Sequence, residues 1–294
     1  MVCRGWRSFA VGMAVAVAMP LLAACDSRDS GSQPTRGSAA PITVEINQSR
    51  DQYGKMAILI QLTNTTDTPL TVTGAQVDSS LFDGGISWQP SKDGLELPPQ
   101  QPKSIPAELP AAACGAPADA SATIKAKLNY SESSKEPVEE TADATDPYGV
   151  LARNASELCL AAEAAAVATM VLDPGLEVAA DGSTAVVRLV VTPAGATQSL
   201  TIESIDGTTL LAETPSDPWP RNVTIASGDA VRELALRIRP ARCDPHAVAE
   251  DKVGTLLPLR VKVGERQGLV KIAASPELRG RIYDFVTAAC VPAG

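Results

Sequence analysis

Apolar and polar residues alternate in short runs along most of this chain. Ile42-Thr43-Val44-Glu45-Ile46 and Leu234-Ala235-Leu236-Arg237-Ile238 are clear cases. In the second, three aliphatics share one face while Ala235 and Arg237 share the other, as in a strand with one face buried. Met56 to Leu62, Ile124 to Leu128, Thr169 to Leu172, Ala185 to Val191 and Leu257 to Val263 read the same way. All are rich in Val, Ile, Leu or Thr and bounded by Gly, Pro, Asn or Asp, which predicts strands joined by turns. Two stretches break the pattern. Pro147 to Cys159 has Val150, Leu151 and Leu158 in helical register, and Pro276 to Cys290 has Leu278, Ile282, Phe285 and Val286. Each predicts a helix ending at a cysteine. Leu160 to Ala168 is Ala-rich and fits either a continued helix or a direct lead into the next strand. Glu139 to Asp146 is acidic and predicts an exposed loop.

The pattern occurs twice. The run Met56 to Leu62, the break Asn64 to Asp67 and the run Leu70 to Thr73 match Ala185 to Val191, Pro193 to Gly195 and Leu200 to Glu203. The offset between the copies is about 130 residues. Cys114 falls on Cys243 and Cys159 on Cys290, and Trp88 falls on Trp219. An internal repeat marked by strands, cysteines and tryptophans predicts two copies of one unit, residues 41–160 and 161–294. Many short strands without long helical periods between them favour sandwiches over a parallel sheet. The phrase Leu59 to Val77 is similar to bacterial extracytoplasmic immunoglobulin-like domains. The resemblance implies a mainly β fold: two tandem immunoglobulin-like sandwiches, each with a short C-terminal helix tied by a disulfide.

The N-terminus is different. Arg4 and Arg7 precede an almost wholly apolar run from Phe9 to Leu22, which is short for a membrane span. Leu22-Ala23-Ala24-Cys25 closes it and resembles the lipobox of bacterial lipoproteins. That resemblance implies a signal peptide over residues 1–24, removed by signal peptidase II, and a mature chain that begins at Cys25 carrying a diacylglycerol and palmitate. It also implies an address, the extracytoplasmic face of the cell membrane. The following stretch to Ala40, DSRDSGSQPTRGSAA, is small, polar and aperiodic. Such a composition buries too little surface to offset ordering entropy, so residues 25–40 predict a tether spanning about 20 Å.

Charge narrows the partners. The chain carries a net −9, and loss of Arg4 and Arg7 takes the mature form to −11. That acidity disfavours nucleic acid and anionic lipid heads, leaving attachment to the lipid itself. Aromatic residues make up 3% of the chain, too few for a stacking platform.

Four cysteines remain beside Cys25 and Cys3. Four allow three connectivities, and the repeat selects Cys114 with Cys159 and Cys243 with Cys290. An exported chain reaches an oxidising compartment. No CxxC or paired histidines suggest a metal or redox site. The single histidine, His246, has Asp244, Glu250 and Asp251 nearby, but scattered acids around one His lack a ligand spacing. That His would also have to serve any Ser-His-Asp triad, and no GxSxG elbow accompanies a serine. No phosphate loop of the GxxxxGK[ST] form occurs. No catalytic residue, metal or cofactor is therefore assigned. Trp88 and Trp219 read as packing residues in equivalent places. The sequence thus predicts a non-enzymatic, lipid-anchored binding or scaffolding module. It would offer a sandwich edge or loop end to another envelope protein or a wall polymer. The alternatives are a solute-binding lipoprotein of a transporter and, behind it, a carboxylate-dependent envelope hydrolase.

Overall fold

The computed structural model describes residues 40–53, 55–115, 123–133 and 135–291. The expected signal peptide, Cys25 and nearly all of the expected tether lie outside them. The first stretch of chain forms β1 (Ile42–Asn47), α1 (Arg50–Tyr53), β2 (Ala57–Asn64), β3 (Leu70–Asp78), β4 (Ile86–Trp88), β5 (Leu95–Leu97), β6 (Lys103–Glu108), β7 (Lys125–Glu132), β8 (Val138–Thr145) and α2 (Val150–Val167). Then follow β9 (Ala168–Leu172), β10 (Glu177–Val178), β11 (Ala185–Pro193), β12 (Leu200–Ile205), β13 (Leu211–Glu213), β14 (Val223–Ile225) and β15 (Arg232–Pro240). The chain ends with α3 (Pro245–Ala249), β16 (Leu256–Val263), β17 (Arg266–Ala273) and α4 (Pro276–Ala289). The fold is mainly β.

Alternation drives the strands. In β2 Ile58, Ile60 and Leu62 are buried; in β11 Ala185, Val187, Leu189 and Val191 are. Each such Val, Leu or Ile side chain gains about 1.5–3 kcal/mol by leaving water. Turns reverse the chain where local chemistry demands it. Asn64, fully buried, donates from Nδ2 to Thr68 O (2.8 Å) and Leu97 O (2.9 Å), while its Oδ1 accepts from Thr66 N (2.9 Å). Gly264, with φ 55°, is the first of the two residues joining β16 to β17, a place where a tight hairpin needs positive φ.

The strand pairings recur. β1–β2–β6 form consecutive antiparallel neighbours, and so do β9–β11–β15. Likewise β5–β3–β7–β8 has a counterpart in β14–β12–β16–β17. The irregularity recurs too: β3 slips register against β7 between Val72 and Gly74, and β12 slips against β16 between Ile202 and Ser204. A bulge is a specific device rather than a defect, so its return at an offset of 130 residues is a sharp correspondence. One difference stands out. β8 also runs parallel to β1 (Val44 opposite Ala144), which merges the first set into one eight-stranded sheet. The later strands form separate five- and four-stranded sheets.

Buried side chains gather in two clusters, one from Ile42 to Ala155 and one from Leu160 to Val286. α2 belongs to both. Val150, Leu151 and Ala155 enter the first, and Leu160, Ala164 and Val167 the second. Asp146 starts the helix by accepting from the backbone N–H groups of Val150 (2.7 Å) and Leu151 (2.8 Å). The Ala-rich segment then continues the helix and passes directly into β9.

Three local expectations change. The helix expected to end at Cys159 runs on to Val167 through the 160/161 position, so Cys159 is buried within it. Ala supplies the helix propensity and a second core supplies the burial. The expected acidic loop from Glu139 is strand β8, held by full pairing to β7 and by a cross-strand ion pair between Lys125 Nζ and Asp143 (2.5 Å). Glu139 and Asp143 face solvent, whereas Ala142 and half-buried Glu140 share the inner face, a strand pattern hidden by the lack of large aliphatics. Finally, Trp88 lies on β4 and is half-buried, whereas Trp219 is buried in the loop before β14.

Candidate functional site

Cys114 is bonded to Cys159 and Cys243 to Cys290, with Cα–Cα separations of 5.3 and 5.1 Å. The first bridge ties the chain after β6 to the middle of α2; the second ties the start of α3 to the C-cap of α4. Trp219 packs in the second core and donates from Nε1 to Arg237 O at 2.8 Å, and Trp88 packs against the first. Trp219 is buried and Trp88 half-buried, so both rings contribute to packing. Around His246 two of the acids, Asp244 and Asp251, have other work. Asp244 caps α3 by accepting from His246 N (3.0 Å). Asp251 accepts from Thr209 Oγ1, from Gly254 N and from Tyr283 OH (2.9 Å). Burial and the bond to Asp251 raise the Tyr283 pKa. Among the described residues no three His, Cys, Asp or Glu side chains come together as a metal site.

A different region has the character of a site. It lies where the two cores meet along α2. β1 runs from Ile42, opposite Asn64, to Asn47, opposite Leu59. Gln48 follows, then Ser49, whose carbonyl accepts from Gln52 N (3.0 Å) and whose hydroxyl donates to Asp51 (2.5 Å). That bond holds the Asp51 carboxyl below the usual carboxylate range. The short helix α1 thus brings Tyr53 to the surface, 36% exposed. Two cations approach its ring: Lys271 Nζ from β17 at 5.0 Å and the Arg153 guanidinium from α2 at 5.9 Å. Lys271 is also paired with Glu157 on α2 (2.5 Å), and Arg153 donates to Gln48 Oε1 (2.8 Å). Gln48 exchanges amide hydrogen bonds with buried Asn154 and donates to Ala57 O (2.9 Å). The seam is therefore cross-braced by side chains from α1, α2 and β17.

Two adjoining clefts open beside Tyr53, one of about 460 Å³ and one of about 230 Å³. They share Tyr53, Leu256, Leu269 and Lys271. The larger continues past Val253 and Pro258 to Ala241 and Arg242; the smaller runs towards Leu158 and Met56. Met56 is 58% exposed and holds φ 47°, a left-handed backbone uncommon for a non-glycine residue. The walls are apolar and the charges near the opening are mostly positive. Such a concavity suits an apolar group with a negative end. Sequence reading assigned no role to Tyr53, Lys271 or Arg242. They are scattered over the chain, and no spacing signals their convergence.

No family model and no curated protein matches the sequence. Among solved structures, the YadV chaperone is 13% identical with a TM-score of 0.23, covering 79% of this chain and 98% of the chaperone. The calcium binding domain CBD12 of CALX1.1 is 11% identical with a TM-score of 0.22, covering 82% and 84%. The exo-chitosanase CsxA of Amycolatopsis orientalis is 15% identical with a TM-score of 0.22; the match covers 79% of this chain and 26% of the enzyme. At such TM-scores these likenesses carry no argument about activity or partners. No helix among the described residues is long and apolar enough to cross a membrane.

Proposed function

We propose that this is a lipid-anchored protein of the bacterial cell envelope, made of two tandem immunoglobulin-like units and acting as a non-enzymatic binding or scaffolding module. The recurring strand pairings, the repeated bulge and one disulfide per copy support the tandem reading. The anchor is Cys25, in the lipobox Leu22-Ala23-Ala24-Cys25. One observation carries the scaffolding role. Helix α2 is sunk in both cores and is gripped by β17 through the pair Lys271–Glu157, so the two β halves are offered on one continuous support. The partner is an envelope protein or a wall polymer.

The test has two arms. Cys25→Ala is expected to abolish fatty-acid labelling and block cleavage; normal labelling of that variant would reject the anchor. Crosslinking in intact cells should recover one envelope component reproducibly with the wild type and not with a mock control. Recovery of none across repeated captures would reject the scaffolding role.

A further inference from the structure

We infer that the seam cleft beside Tyr53 binds a small amphipathic anion, an apolar or aromatic body carrying one carboxylate. The larger cleft, about 460 Å³, has the size of a small-molecule site. Leu256 and Leu269 give it apolar walls that would take the body of such a ligand. Charge selects its sign. Lys271 and Arg153 flank Tyr53, and Arg242 stands on the cleft wall. Lys271 is offset by Glu157, whereas Arg153, which donates to the neutral Gln48 amide, and Arg242 pair with no carboxylate among the described residues. In a chain of net charge −9, an exposed guanidinium without a carboxylate partner beside an apolar cleft is a local reversal of sign. A guanidinium fork matches a carboxylate in geometry as well as charge. The ligand would also touch both sides of the seam, since Tyr53 comes from the first core's side and Arg242 from the second's. The inference rests on the cleft alone and is independent of the lipid anchor.

Calorimetric titration of the full chain in phosphatidylcholine nanodiscs, with empty discs subtracted, tests it with 4-phenylbutyrate. The alcohol 4-phenylbutanol and the amine 4-phenylbutylamine serve as neutral and cationic counterparts. Saturable binding of the carboxylate is expected, with the alcohol and the amine each at least tenfold weaker. Arg242→Glu should weaken the carboxylate at least tenfold by reversing the charge. Ala241→Trp should do the same by filling the cleft from an exposed position. Arg281→Glu, on α4 away from the cleft, should leave binding unchanged. Absence of saturable carboxylate binding, equal binding of the amine, or binding unaltered by both Arg242→Glu and Ala241→Trp would overturn the inference. Neither arm depends on capturing a macromolecular partner, so failure here is separable from failure of the scaffolding role.

Discussion

Tyr130 on β7 shows how much a single polar group depends on its setting. Its ring is buried against the first core while its hydroxyl donates to Glu140 Oε2 on β8 at 2.6 Å. Burial first, then the neighbouring carboxylate, push its pKa up from 10.0 to about 12. Both favour the neutral phenol, so the sign follows directly. The stabilisation is fully present below the unfolded value of 10.0 and is lost as pH rises through the folded value of about 12. Titration of tyrosinate absorbance should show a late component near pH 12 that vanishes in Tyr130→Phe, while the raised titration of Tyr283 remains. A titration in which the variant loses an early component instead would contradict this placement. Asp78 shifts the opposite way, because Gln76 and Lys127 both favour its carboxylate. The alternation of Ile124 to Leu128, just before Tyr130, was legible in the sequence. The partner of the Tyr130 hydroxyl was not, since Glu140 fell in a segment that reads as a loop.

At the scale of elements, α2 is the piece that sequence periodicity understated. A helix written for one core would end near Cys159, where the apolar residues of its first half run out. Leu160, Ala164 and Val167 begin a second apolar face, and small Ala side chains make it faint by periodicity but close-packed in space. Arg266 on β17 holds Glu163 at 3.0 Å, and Lys271 holds Glu157, so the strand grips the helix along its length. The bridge from Cys114 fastens the middle of the same helix across 45 residues of chain. By loop-closure entropy, such a link contributes about 4 kcal/mol. The double substitution Cys114→Ala with Cys159→Ala should therefore lower the unfolding free energy by roughly that amount, about 4 kcal/mol, in chemical denaturation followed by circular dichroism. A loss under about 1 kcal/mol would mean that the loop is already constrained by its own packing.

For the whole molecule, the consequence is stiffness. A hinge between two β units needs an irregular linker with few contacts. Here the connection is a continuous helix sunk in both cores and cross-braced at Tyr53. Spin labels at Ser87→Cys on β4 and Ser227→Cys beyond β14 report on the two sides. Their distance distribution should be single and narrow. Ala162→Pro, at an exposed helix position, should broaden it by kinking α2 at a cost of about 3 kcal/mol. A broad distribution in the unsubstituted helix would rule out a rigid connection. Stiffness also bears on the cleft, because Tyr53 reaches it from the first side while the rest of its lining comes from the second, and it keeps its shape only if the two sides do not swing.

What the sequence determined by itself is periodic or covalent. Alternation specified the longer aliphatic strands, the repeat specified which cysteines pair, and turn residues such as Asn64 marked the reversals, because each of these signals lives within a few residues of chain or within one repeat unit. Tertiary structure decided what depends on convergence. Whether Leu160 to Val167 stays helical depended on a second core to receive it. The acidic strand β8 needed the pairing offered by β7 and β1. The meeting of Tyr53, Arg153, Arg242 and Lys271 required two packed halves. Charge and apolar surface brought together from distant segments carry no local signature, so the cleft can be read only from the fold.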